Sequence, residues 1–135
     1  MKSLLLEIFT PQKKVFSGEV LSVTFPGEKG NFQVLFNHAP LISSLEIGAI
    51  KIAYLDGTKR IFATSGGFVE IKNNRVVAIL NTFESQEEID VKRAEAAAER
   101  ARQRLYKHSA DIDLIRAEAA LIRAINRIKI KNYHF

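Results

Sequence analysis

Val76-Val77-Ala78-Ile79-Leu80 closes one kind of chain, and Ser85-Gln86-Glu87-Glu88 opens another. The first stretch is a run of aliphatic, largely β-branched residues, the composition of a strand. The second reads as a capping box, with Ser85 at the N-cap of a helix and Glu88 reaching back to its amide. The punctuation changes at the same place: all seven Gly and all three Pro lie at or before Gly67.

Upstream, short runs rich in β-branched and aromatic residues alternate with turn signals. Glu19-Val20-Leu21-Ser22-Val23-Thr24-Phe25 is a strand halted by Pro26-Gly27. Ala49-Ile50-Lys51-Ile52-Ala53-Tyr54 alternates at period two and meets Asp56-Gly57, a favoured hairpin pair, before Arg60-Ile61-Phe62-Ala63 returns. Phe68-Val69-Glu70-Ile71 and Val76 to Leu80 flank Asn73-Asn74, residues that tolerate positive φ. Gly66-Gly67, just before a strand, marks a bulge or a close backbone approach. The aromatics Phe9, Phe25, Phe62 and Phe68 read as core. Short strands with no helical pattern between them indicate an antiparallel sandwich or barrel.

Downstream, Ala94, Ala96, Ala97, Ala98, Ala101 and Leu105 are interleaved with Lys, Arg and Glu, all strong helix formers. His108-Ser109-Ala110 breaks the run, and Ser109 or Asp111 can cap a second helix. Its apolar positions Leu114, Ala117, Leu121, Ala124 and Ile128 step by three or four residues. Two helices, each about 30 Å long, joined by a short loop fold back as a hairpin. Alanine buries little area, so the hairpin's stability should depend on what it docks against. The expected plan is a β-sandwich over residues 1–84 and a helical hairpin over 85–135.

A chain of 135 residues is long enough to bury a core, and 47% hydrophobic with 26% charged residues is neither disordered nor membrane-spanning by composition. The absence of Cys excludes a disulfide scaffold, thiolate-held zinc and thiol catalysis. The apolar run after Met1 is too short for a signal peptide or a spanning helix, which points to a soluble intracellular protein. The net charge of +5 is unevenly spread. From Leu114 onward Glu118 is the sole acid against Arg116, Arg123, Arg127, Lys129 and Lys131. Such a cationic arm can be a solvated face, a nucleic-acid contact or a complement to an acidic protein surface. Nucleic-acid binding calls for interleaved aromatics. Here the aromatics sit in the β part, with Tyr133 and Phe135 at a frayed end, so a protein partner is favoured.

Catalytic chemistry has little support. His38, His108 and His134 are scattered without metal-ligand spacing, and neither phosphate-loop glycine pattern is present. His38 reads as a loop residue satisfying backbone groups. Any nucleotide would be held by side chains, which suits sensing rather than turnover. Ile89-Asp90-Val91-Lys92-Arg93-Ala94 recurs as Ile112-Asp113-Leu114-Ile115-Arg116-Ala117, two similarly built helix starts with an acid suited to the helix dipole.

The order Asn37-His38-Ala39-Pro40-Leu41, then Ser65-Gly66-Gly67-Phe68-Val69-Glu70, then Ile89-Asp90-x-x-Arg93-Ala94 resembles the epsilon subunit of bacterial F-type ATP synthases. The resemblance covers almost the whole chain. It implies a non-catalytic rotor subunit on the central stalk, peripheral on the cytoplasmic face of the plasma membrane. Its sandwich would touch the gamma subunit and the c-ring, with Asn31 and His38 among the contacts. It also implies a regulatory ATP site, with no metal required. Glu84 and Asp90 would accept bonds from adenine or ribose, Ile89 and Ala94 would contact the base, and Arg93, Arg100, Arg123 and Arg127 would hold phosphates. The hairpin would lie compact with ATP and otherwise extend towards the alpha and beta subunits, restraining hydrolysis. Two departures stand out: Phe36-Asn37 where many relatives have Pro-Gly, and Gln33 where Gly is usual. The alternative is a free-standing nucleotide-sensing or nucleic-acid-binding module with a cationic clamp.

Overall fold

The computed structural model describes residues 2–107 and 111–135. Nine strands come first: β1 (Leu4–Phe9), β2 (Lys14–Gly27), β3 (Gly30–Val34), β4 (Leu41–Leu45), β5 (Gly48–Tyr54), β6 (Lys59–Thr64), β7 (Gly67–Lys72), β8 (Arg75–Leu80) and β9 (Glu84–Ser85). Helices α1 (Val91–Lys107) and α2 (Asp111–Lys131) follow. The segment His108-Ser109-Ala110, where a break and a cap are expected, lies outside the described residues.

Strand β2 is 14 residues long and serves both layers of the sandwich. Its first half pairs with β1, its second half with β3 on one side and β5 on the other, and Gly27 meets Leu45 of β4. One layer continues from β1 through β8 and β7 to β4, and the other from β5 through β6 to β9. Between them lie Leu4, Leu6, Ile8, Val20, Phe25, Ile50, Ile52, Val69, Ile71 and Leu80, each at most 1% exposed. Burial on this scale, at about 25 cal/mol per Å² of apolar surface, is the main driving force for the β half.

Most of the expected strands are present, with three differences in detail. First, β1 runs parallel to β8, from Leu5 opposite Arg75 to Phe9 opposite Ile79, in an otherwise antiparallel sheet. The direction is free because the whole domain separates the two strands in sequence. Second, Phe68 does not join the core: it is 50% exposed, while Val69 beside it is buried. Successive side chains alternate across the sheet, so only one of the two can point inward. Phe9 is half-buried, and in register Phe9, Ile79 and Phe68 form an apolar row across β1, β8 and β7. Third, at Asp56-Gly57 only Gly57 has positive φ (88°). The Asp56 carboxylate instead accepts bonds from Thr58 N at 2.9 Å and Thr58 Oγ1 at 2.6 Å, which builds a longer turn.

Asn73 and Asn74 do take the left-handed conformation, at φ 53° and 60°, and so does Asn37 at 64°. Asn37 N donates to Asn74 Oδ1 at 2.6 Å, and Asn74 Nδ2 donates to Asn37 Oδ1 at 3.2 Å. This exchange supports a left-handed turn that glycine would otherwise serve. A Cβ on Gly67 (φ 148°) would collide with the Ile79 carbonyl, so the close approach inferred from Gly66-Gly67 is present.

The helices pack through small residues. Ala94, Ala98 and Ala101 of α1 and Ala117 and Ala124 of α2 are buried. Glu88 does return to Ser85, with Ser85 Oγ donating to Glu88 Oε1 at 2.9 Å and Glu88 N to Ser85 Oγ at 3.2 Å. That box closes a turn rather than starting the helix. The helix begins at Val91, and its cap is Asp90, whose Oδ1 accepts from Arg93 N at 3.1 Å.

Candidate functional site

Glu84 of β9, Glu88, the start of α1 and the last third of α2 enclose a cleft of about 370 Å³. Its walls carry Glu84, Glu88, Asp90, Arg93, Ala97, Arg100 and Arg127. Arg93, Ala97 and Arg100 stand four and three residues apart, hence on one face of α1. Arg127 comes from the antiparallel α2, where its Nε donates to Glu84 Oε1 at 2.7 Å. That pair is about one-third exposed on both sides and ties the hairpin to β9.

Arg93 and Arg100 are exposed and make no ion pair among the described residues. The cleft's three guanidinium groups, Arg93, Arg100 and Arg127, are matched in number by the carboxylates of Glu84, Glu88 and Asp90, with the positive end of the α1 dipole nearby. The carboxylates are each engaged: Glu84 by Arg127, Glu88 by Ser85 and Asp90 as the helix cap. That leaves Arg93 and Arg100 as the cleft's guanidinium groups without an ion-pair partner among the described residues.

Of the other anticipated residues, Arg123 sits one turn before Arg127 and lines a narrow adjoining crevice with Thr64, Thr82 and Asn126. It is beside the cleft rather than in it. Ile89 is 3% exposed, packed with Ile61, Ala63 and Ile130, and Ala94 is 4% exposed at the cleft floor. Glu88 and Ala97 line the cleft without having been singled out from sequence. The spacing of four from Arg93 would have found Ala97, whereas Glu88 was absorbed by the capping pattern.

Asn31 lies at the start of β3 beside the β2–β3 turn, and His38 in the loop beyond that strand's other end, so the two are not brought together. The His38 Nδ1 is 2.7 Å from the Ala39 carbonyl, the backbone-satisfying role expected of it. Tyr133, expected at a frayed end, is half-buried, with Lys51 Nζ 4.6 Å from its ring centre. Among the described residues no helix is long and apolar enough to cross a membrane, and no group of three His, Cys, Asp or Glu could hold a metal ion.

Residues 3–86 match the family described as ATP synthase, Delta/Epsilon chain, beta-sandwich domain, and residues 87–132 match its long alpha-helix domain. The chain belongs to the ATP synthase delta/epsilon chain family. The ATP synthase epsilon chain of Desulforamulus reducens is 46% identical over 124 residues, covering 92% of this chain and 93% of that one. That of Pelotomaculum thermopropionicum is 51% identical over 102 residues, 76% and 75% of the two chains. A chain in the Euglena gracilis mitochondrial ATP synthase structure (OSCP/F1/c-ring) shares the fold at a TM-score of 0.86 and 23% identity, covering 93% of this chain and 79% of its own. The two delta/epsilon matches meet at residues 86 and 87, inside the turn that borders the cleft.

Proposed function

We propose that this chain is a non-catalytic rotor subunit of the central stalk of a bacterial ATP synthase, and that its hairpin binds ATP as a regulatory ligand. The cleft carries the second part of this reading. Its volume falls in the range of small-molecule sites, and its guanidinium groups converge from both helices. Arg93, Arg100 and Arg127 present planar forks suited to phosphate oxygens, and Arg123 stands close behind. A phosphate taking Arg127 would displace the Glu84 carboxylate, freeing it to accept from the adenine amino group or ribose.

Because the cleft is built from both helices and β9, ATP binds only the compact hairpin. It therefore favours that state to the extent of its differential affinity. When the hairpin opens, the cationic end of α2 is available to acidic surfaces of the alpha and beta subunits. The apolar row Phe9–Ile79–Phe68 supports a face for the gamma subunit, and Asn31 of β3 and the His38 loop would be among the contacts with the gamma subunit and the c-ring at the cytoplasmic side of the plasma membrane.

The test is a calorimetric titration of the chain with ATP and with ADP. We expect saturable one-to-one binding that prefers ATP. Arg100→Ala should weaken it by roughly 10-fold, about 1.4 kcal/mol, and Arg123→Ala by less. No binding up to millimolar ATP, or an affinity untouched by Arg100→Ala, removes the site. The stalk assignment is tested separately, by co-purification with alpha, beta and gamma chains.

A further inference from the structure

The last residues of the chain are fastened to the β half at a place the nucleotide cleft does not include. Gln86, in the turn between β9 and α1, points its side-chain amide at the end of α2. Its Nε2 donates to the carbonyl of Ile130 at 2.8 Å and to that of Tyr133 at 2.8 Å. Both partners are acceptors, so the amide can face them only through its NH₂ group. In return, Lys131 Nζ donates to the Gln86 backbone carbonyl at 3.0 Å. A helix leaves its last carbonyls without partners, and here a side chain from another element fills part of that need.

Around this exchange the packing is apolar. Ile130 is 3% exposed and packs with Ile61 and Ala63 of β6 and with Ile89. Tyr133 joins the same cluster, and its ring meets Phe135 edge-on, with centres 4.9 Å apart. Tyr133 and Phe135 also wall a groove over β5 with Lys51, Lys59, Ser22 and Gln33. The neighbouring turn of α2 adds one more tie, Asn126 Nδ2 to the Gly48 carbonyl at 2.9 Å. By contrast, α1 holds α2 through alanines, which bury little surface each.

We propose that Gln86 and the Tyr133–Phe135 tail form a latch that holds the hairpin against the sandwich independently of any nucleotide, so that opening starts by breaking this contact. The latch stands on contacts between protein groups alone, whether or not the cleft takes ATP. It lies at the sandwich end of α2, where a helix swinging out must first detach.

The test is amide hydrogen exchange on the full chain, on Gln86→Ala, and on a chain ending at Asn132, all without nucleotide. In Gln86→Ala, which loses both bonds, exchange across α1 and α2 should rise about tenfold, and in the shortened chain, which loses the Tyr133 bond and the Tyr133–Phe135 packing, it should also rise, while β1, β5 and β8 keep their protection. Hairpin exchange that stays within about twofold of the full chain in Gln86→Ala overturns the proposal. So does a rise spread equally over sandwich and helices, which would make the contact a general stabiliser. Should the shortened chain fail to fold, Gln86→Ala alone decides. The cleft is read separately by calorimetry with ATP on Arg100→Ala, a cleft residue that makes none of the latch contacts, so loss of ATP binding there with hairpin protection unchanged marks the nucleotide site alone.

Discussion

The two halves of this chain are held by opposite kinds of side chain. The sandwich closes over Phe25, Leu4, Ile8, Ile50 and Leu80, large groups at 0–1% exposure drawn from strands distant in sequence. The hairpin closes over Ala94, Ala98, Ala101, Ala117 and Ala124. Large interlocking groups make a platform that opens all at once or not at all. A smooth seam of methyl groups can separate and re-form with little rearrangement. The difference teaches that the kind of packing is written into residue size: one chain carries a body of interlocking large groups and an arm closed over methyl groups.

The sharpest way to break the contrast is to cut the platform. Phe25→Ala removes a fully buried ring in contact with Phe32, whose centre lies 5.9 Å away. We expect a loss of about 3–5 kcal/mol in global stability, measured by denaturant unfolding, with sandwich and helices lost together. A helical signal that survives after the sandwich has melted would show that the hairpin does not depend on the platform.

Next in size is an attack on the seam. Ala98→Leu inserts three carbons at a position 1% exposed and must push α1 and α2 apart. Overpacking of this kind costs about 1–3 kcal/mol. The effect should appear as faster exchange in the helices with the β domain's unfolding midpoint unchanged. An equal shift in both would mean that the halves open as one unit, and the contrast would fail.

Local signals carried most of the fold. Asn73-Asn74 and the alternation from Ala49 to Tyr54 place hairpins because turn and strands are contiguous in sequence. Phe68 was misjudged as core because a run such as Phe68-Val69 does not say which parity faces inward; that depends on β4 and β8, its neighbours in space. The arginines of the cleft were legible because helical spacing puts Arg93 and Arg100 on one face and an antiparallel hairpin returns Arg127 to them. The latch was not legible. Gln86 was a spacer within a capping pattern, and nothing in the sequence links it to Tyr133, 47 positions later. Burial of Ile89 and the service of Asp90 as the helix cap likewise depend on where the helix starts, six residues beyond Ser85.

The smallest effect concerns the platform's one buried acid, which sequence also leaves hidden because Arg75, one of its two partners, reaches it only through the parallel β1–β8 pair. Glu7 accepts from Lys14 Nζ at 2.9 Å and from Arg75 Nε at 3.0 Å, stapling β1 to both of its neighbours. The Lys14 ammonium and the Arg75 guanidinium hold its carboxyl below the ordinary glutamate value, against the opposing effect of burial. A group whose folded pKa is lowered stabilises the fold above its unfolded value, near pH 4.3, and loses that contribution as pH falls through the lowered one. Glu7→Gln should therefore be less stable than the native chain at neutral pH, with the two curves converging as the solution is acidified. Asp56 and Glu87, also held low, leave a residual acid slope in both proteins. Two stability curves that stay parallel from neutral pH downward would show that Glu7 titrates alike in the folded and unfolded chains. The staple would then be a matter of shape rather than charge.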